Sequence, residues 1–119
     1  MKLAVIGSRG FFDYPLLLER VTEIMPKLIV SGGAKGADLL AEKAAKALNI
    51  PTLIFLPDWN LHGRKAGFIR NEDIIKNADV VLAFWDGESK GTKNSIDIAK
   101  KLKKKCFVVL YKEHNLFNY

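Results

Sequence analysis

The sequence is poor in the residues that build disulfides, metal centres and membrane spans. One cysteine among 119 residues excludes an internal disulfide and fits a reducing compartment. The two histidines, His62 and His114, stand far apart from each other and from Cys106, so no zinc-ligand spacing exists and no metal site is expected. His62 has no obvious acid partner in sequence, and neither it nor His114 is assigned a role. No apolar run approaches the roughly 20 residues a membrane helix needs. The short apolar run after Met1-Lys2 is too brief for a signal-peptide core, and the expected location is the cytoplasm. There is no GxSxG elbow and no support for a Ser-His-Asp arrangement. Repeats, linkers and low-complexity stretches are absent too, which leaves a single domain over residues 1–119.

Negative charge is also in short supply. Lys and Arg number 19 against 13 Asp and Glu, a formal charge of +6, which favours anionic partners such as phosphates, nucleotides, nucleic acid or an acidic protein face. The remaining composition, 49% hydrophobic and 27% charged, is that of an ordinary globular chain.

Apolar patterning alternates between strand and helix. Short β-rich runs fall at 3–6, 28–30, 52–56, 80–85 and 106–110. Helical spacing covers 14–25, 36–48, 65–77 and 92–102. Leu40, Ala41, Ala44, Ala45 and Leu48 share one helical face, small enough to pack close to a sheet. Alternation with short connections predicts parallel strands and right-handed crossovers. The expected fold is an α/β, Rossmann-like three-layer sandwich on a five-stranded parallel sheet. Ligands in such sheets bind beyond the carboxyl ends of the strands, where strand order reverses.

The unusual residues gather at that edge. Gly7-Ser8-Arg9-Gly10 follows the first strand and Ser31-Gly32-Gly33-Ala34-Lys35-Gly36-Ala37-Asp38 the second. Pro57-Asp58-Trp59 follows the third, and Asp86-Gly87-Glu88-Ser89-Lys90-Gly91-Thr92 the fourth. Connections at the opposite edge are short and plain. In the second loop, glycines allow close backbone approach, a helix beginning near Gly36 offers free N–H groups, and Lys35 adds a point charge. The alternative is a tight turn with Asp38 favouring the helix start. The fourth loop repeats the design. Thr92 there is either a phosphate contact or the helix N-cap. Neither a Walker loop nor a GxGxxG fingerprint is present. Arg9 and Arg70 can each grip a phosphate with two parallel N–H bonds, Asn71 follows Arg70, and Trp59 either stacks on a base or covers the sheet edge. The lysines at 100, 101 and 103–105 read as a solvated helix terminus.

Gly7-Ser8-Arg9, Ser31 to Asp38, the stretch from Gly63 to Asn71, and Asp86 to Thr92 together resemble the YspA-like branch of the SLOG superfamily, which includes the Smf/DprA DNA-processing proteins and the LOG phosphoribohydrolases. The resemblance implies a Rossmann-like fold binding a nucleotide or nucleotide derivative over the strand ends, as a homodimer or higher homo-oligomer. Two anion loops without a complete catalytic set make a sensor or carrier domain with no required cofactor the expected role. For the enzyme members it implies hydrolysis of a nucleotide N-glycosidic bond, with Arg70 as the catalytic arginine. Their PGGxGTxxE loop is matched at Gly91-Thr92, but the glutamate position falls at Ser95. Asp97, Glu88 or Asp38 would replace that acid only in a different geometry. The Ser31 to Asp38 segment is also similar to a DprA motif associated with single-stranded DNA, which makes nucleic acid the alternative partner.

Overall fold

A computed structural model describes residues 1–112. The sequence from Lys112 to Tyr119, with Leu116, Phe117 and Tyr119 after polar residues, reads as a tail that docks on a neighbouring subunit or is disordered; beyond Lys112 it lies, with His114, outside the described residues. The elements run β1 (Lys2–Gly7), α1 (Tyr14–Ile24), β2 (Leu28–Ser31), α2 (Ala37–Ala47), β3 (Thr52–Ile54), α3 (Trp59–His62), a 3-10 turn (Gly63–Lys65), α4 (Ala66–Lys76), β4 (Val80–Trp85), α5 (Lys90–Lys101) and β5 (Lys105–Leu110).

All five strands are parallel, in the order β3-β2-β1-β4-β5. The chain therefore winds outward from β1 to β3, then returns across β1 to lay down β4 and β5. This is the predicted sandwich, and its reversal of direction lies between β1 and β4. Pairing there runs from Leu3 opposite Val80 to Gly7 opposite Phe84.

The period of two along each strand divides the core into two layers. Leu3 and Val5 of β1, with Leu82 and Phe84 of β4, face the buried side chains of α1 and α2, among them Leu17, Val21, Ala41 and Ala44. Ala4 and Ile6, with Val81 and Ala83, face α4 and α5 through Ile74, Ile75, Ile96 and Ala99. Burial on both faces explains why β1 and β4 read as unbroken apolar runs. Phe11, in the loop after β1, stacks on Phe84 with ring centroids 4.5 Å apart, which pins that loop over the end of β4.

Element ends follow local chemistry. The Asp13 carboxylate caps α1 by accepting from Leu16 N at 3.2 Å, and Met25 ends the helix in a left-handed conformation at φ 45°. β3 stops at Ile54, short of the expected 56. Its neighbour β2 ends at Ser31, whose carbonyl accepts the last bond from Phe55 N at 2.9 Å. The turn of helix at Trp59–His62 was not expected. It is nucleated by the Asp58 carboxylate, which accepts from Leu61 N at 3.0 Å. Among the described residues no helix is long and apolar enough to cross a membrane.

Candidate functional site

A cavity of about 420 Å3 opens where strand order reverses, within the size range of small-molecule sites, roughly 300–1,000 Å3. Its walls come from four places in the chain. The end of β1 and the loop after it supply Gly7, Ser8, Arg9 and Gly10, and the turn after β2 and the start of α2 supply Ala34 and Asp38. From α4 come Arg70, Asn71 and Ile74. The loop after β4 and the first turns of α5 add Asp86, Ser89, Gly91, Thr92 and Ser95.

The β4 loop is built by its own hydrogen bonds. One carboxylate oxygen of Asp86 accepts from Glu88 N at 2.9 Å and Ser89 N at 2.8 Å. These two amide bonds, chiefly the one from Ser89, hold the Asp86 carboxyl below its ordinary value and keep the loop closed. Asp86 N in turn donates to Ser8 Oγ at 3.3 Å, and Ser8 N donates to Phe84 O at 3.0 Å, so the β1 and β4 loops are tied together. The Trp85 indole N–H reaches Ser89 O at 3.0 Å. The N-cap of α5 is Ser89, whose Oγ accepts from Thr92 N at 3.5 Å. Thr92, considered from sequence as the cap, instead sits in the first turn with its hydroxyl 3.2 Å from that of Ser89. The amino end of α5 thus lines the cavity through Ser89, Gly91 and Thr92 and brings its positive dipole end there.

Arg70 is held from two sides. Its Nη1 donates to Gly32 O at 2.8 Å and its Nε to Asn71 Oδ1 at 3.1 Å. Asn71 Nδ2 then reaches Gly91 O at 3.5 Å, linking α4 to the start of α5. Burial pushes Arg70 below its ordinary value. Asp38 counteracts this, and the neighbouring Arg9 cation adds to the lowering. Two guanidinium groups on one cavity repel each other, and a bound anion relieves that repulsion.

Asp38 is 6% exposed and accepts from Ala34 N at 3.1 Å. Burial raises its carboxyl to about 6, against the lowering effects of the Ala34 amide and the Arg70 charge. Of the three acids weighed from sequence as a substitute for the missing glutamate, only Asp38 lines the cavity. Asp97 is paired with Lys93 at 3.1 Å and Glu88 is exposed.

The remaining expected residues lie outside the cavity lining, and several shape it. The buried Ser31 hydroxyl donates to Val5 O at 3.1 Å, binding β2 to β1. Gly32 lies under Arg70, where a Cβ would come 2.5 Å from Nη1. Gly36 has φ +79°, and a Cβ there would meet Ser8 O at 2.5 Å, so this glycine lets the β1 loop and the α2 start touch. Gly33, also at positive φ, packs beside Leu56. Lys35 and Lys90 are exposed. Trp59 is 56% exposed, with the far edge of its ring over Gly67. Ser95, 2% exposed, lines the cavity although the sequence marks it only as a departure from a motif. Its signal was its place one turn into α5 after Gly91.

Solved structures share this architecture. DNA processing protein A from Helicobacter pylori, described for its single-stranded DNA binding mode, superposes with a TM-score of 0.70 at 24% identity over 94% of this chain and 66% of that one. DNA processing protein A from Streptococcus pneumoniae gives a TM-score of 0.75 at 19% identity over 98% of this chain. The chain spans 66% and 52% of the lengths of these two proteins. At such identities the likeness is one of fold. Sequence similarity is firmer with the Gene 61 protein of Mycobacterium phage D29, 32% identical over 84% of this chain and 89% of that protein. The profile of the YspA, cpYpsA-related SLOG family matches residues 1–62, a stretch that holds the glycine-rich turns after β1 and β2 and Asp38. With those turns joined over the end of β1 as described, the chain belongs to the YspA, cpYpsA-related SLOG family.

Proposed function

We propose that the chain binds a nucleotide or nucleotide-derived phosphate ligand in the cavity beyond β1 and β4, as a sensor or carrier domain. The observation that carries this reading is the convergence of Arg9, Arg70 and the amino end of α5 on one cavity. Each supplies donors aimed at negative charge, and hydrogen bonds to a charged group contribute about 1.5–3 kcal/mol apiece. Asn71 and Gly32 hold Arg70 in place before any ligand arrives, which lowers the ordering cost of binding.

Calorimetry against nucleoside mono-, di- and triphosphates, ADP-ribose and NAD tests it. At least one of these binds with a Kd of about 100 μM or below, and Arg70→Ala weakens it tenfold or more, about 1.4 kcal/mol. No heat of binding at millimolar ligand removes the reading.

A second reading, single-stranded DNA, is favoured by the surface beside the cavity. Trp59 and Phe68 are 56% and 53% exposed and are interleaved with exposed Arg64 and Lys65, the mixture of stacking faces and cations that single strands use. The Helicobacter pylori neighbour is itself described as binding single-stranded DNA. The diagnostic is affinity for an oligonucleotide that falls steeply with salt, and a flat salt response excludes it.

A further inference from the structure

Asp38 and Arg70 are opposite charges on the wall of the same cavity, yet they do not close on each other. Ion pairs within 4.0 Å among the described residues join Arg20 to Glu19 and Glu23, Lys76 to Glu72 and Lys93 to Asp97, all on exposed helix faces. Buried Asp38 and half-buried Arg70 are not among them, because each partner is tethered elsewhere. Asp38 Oδ2 accepts from Ala34 N, while Arg70 is committed to Gly32 O and Asn71 Oδ1. Both flank the α carbon of Gly32, where a Cβ would lie 2.5 Å from Arg70 Nη1 and 3.0 Å from Asp38 Oδ2.

A carboxylate offers about four acceptor sites. Even with Ser31 and Gly32 counted beside Ala34 as partners, one stays open. The Ser95 hydroxyl, 2% exposed and also on the cavity wall, has no hydrogen-bond partner among the described residues. The cavity therefore holds Arg9 and Arg70, the Asp38 carboxylate and the Ser95 hydroxyl, with a second carboxylate, Asp86, one oxygen of which is taken by Glu88 N and Ser89 N.

We propose that Asp38 is a specificity-determining residue: its carboxylate accepts a hydrogen bond from a ligand hydroxyl standing between it and Arg70, so that the site selects phosphate esters with free sugar hydroxyls over those without. This rests on the nucleotide reading above. Other occupants of the gap fit less well. A second phosphate meets the carboxylate's charge, and an ammonium group meets those of Arg9 and Arg70. A divalent cation has no cluster of three acidic or histidine ligands among the described residues. A hydroxyl donates to Asp38 while accepting from a guanidinium, and it satisfies both.

Calorimetry on the full chain compares adenosine 5′-monophosphate with 2′,3′-dideoxyadenosine 5′-monophosphate, and the guanosine pair likewise. The expected result is a preference of tenfold or more for the ribonucleotide of a pair that binds. In Asp38→Ala that preference falls to about one, and the dideoxy compound binds as tightly as before or more tightly, because a charge facing its phosphate is gone. A purely structural role for Asp38 weakens both compounds alike, and that outcome overturns the proposal. Equal binding of both compounds by the unmodified chain overturns it too, while leaving the nucleotide reading intact and without any need for the variant to fold. If neither compound of either pair binds at millimolar concentration while another nucleotide of the panel does, the hydroxyl proposal alone is lost. If nothing binds, the nucleotide reading falls with it.

Discussion

Replacing Asp38 with asparagine should make the protein more stable at neutral pH. Burial raises the Asp38 carboxyl from the ordinary 3.8 to about 6. At 1.36 kcal/mol per pKa unit this is about 3 kcal/mol of cost in holding the group ionised in the folded state. Between those two values the folded chain keeps the proton and the unfolded chain has lost it, so stability falls as pH rises across that window. Above about 6 both states are ionised and the whole cost is present. Below 3.8 both are protonated and none of it remains. Asparagine copies the neutral acid, and its Oδ1 retains the bond from Ala34 N. The Asp38→Asn variant should therefore gain up to about 3 kcal/mol at pH 7.5, on the order of 10 °C in melting temperature for a chain of this size, with little gain near pH 4. Urea denaturation of both proteins at pH 4, 5, 6 and 7.5 reads the difference directly. A difference that is absent at pH 7.5, or constant across the series, refutes the reasoning.

Other perturbations separate the shape of the site from its chemistry. Gly32→Ala places a Cβ 2.5 Å from Arg70 Nη1. That guanidinium is tethered to Gly32 O and Asn71 Oδ1, and the same Cβ lies 3.0 Å from the buried Asp38 Oδ2, so stability should fall by about 1–2 kcal/mol while nucleotide affinity drops tenfold or more, as calorimetry and thermal melts would show together. Gly36→Ala meets backbone instead: its φ is +79° and the Cβ meets the Ser8 and Arg9 carbonyls at 2.5 and 2.6 Å. It should cost about 2–4 kcal/mol from backbone strain and collision, measured by denaturant melts. Incubation with nucleoside monophosphates followed by chromatography should show binding without release of free base, since a serine stands at position 95. Release that disappears in both Asp38→Asn and Arg70→Ala would replace the carrier with a hydrolase.

Which parts of this were legible in the sequence has a physical explanation. β1 and β4 announce themselves because both faces are buried, so Leu3 to Ile6 and Val80 to Trp85 are continuous apolar runs with no polar residue to confuse the period. Helix α5 is legible in its body, yet its start was placed at Thr92 and lies at Lys90, because Ser89 and Thr92 are both plausible caps and only the loop geometry set by Asp86 chooses between them. The turn Trp59–His62 was missed because four residues carry no periodicity, and its one signal was Asp58 as an N-cap. In the Ser31 to Asp38 segment the residue types pointed to an anion loop, but only Ala34 and Asp38 of that segment line the cavity. Positive φ at Gly33 and Gly36 turns the intervening backbone so that Lys35 faces solvent. Composition reveals that a turn is tight. It does not reveal which atoms the turn presents.

The cavity itself owes little to any single side chain. Once the chain reverses direction between β1 and β4, α2 packs on one face of the sheet and α5 on the other, and among the described residues no helix covers the gap between the two loops. What residues add is the placing of charge across that gap. Asp38 enters from α2 and Arg70 from α4, elements of opposite layers with separate cores. The fold carries a carboxylate it would be more stable without, beside a cation it does not touch; the Ala34 amide and the Arg70 charge offset its burial in part, and a donor entering between the two would offset more. A ligand held by both ends would tie the α1–α2 layer to the α4–α5 layer at the open edge of the sheet, where the loops after β1 and β4 otherwise meet through the Ser8–Asp86 bond. Occupancy would then register in the relation of the two layers, as a sensor or carrier domain requires.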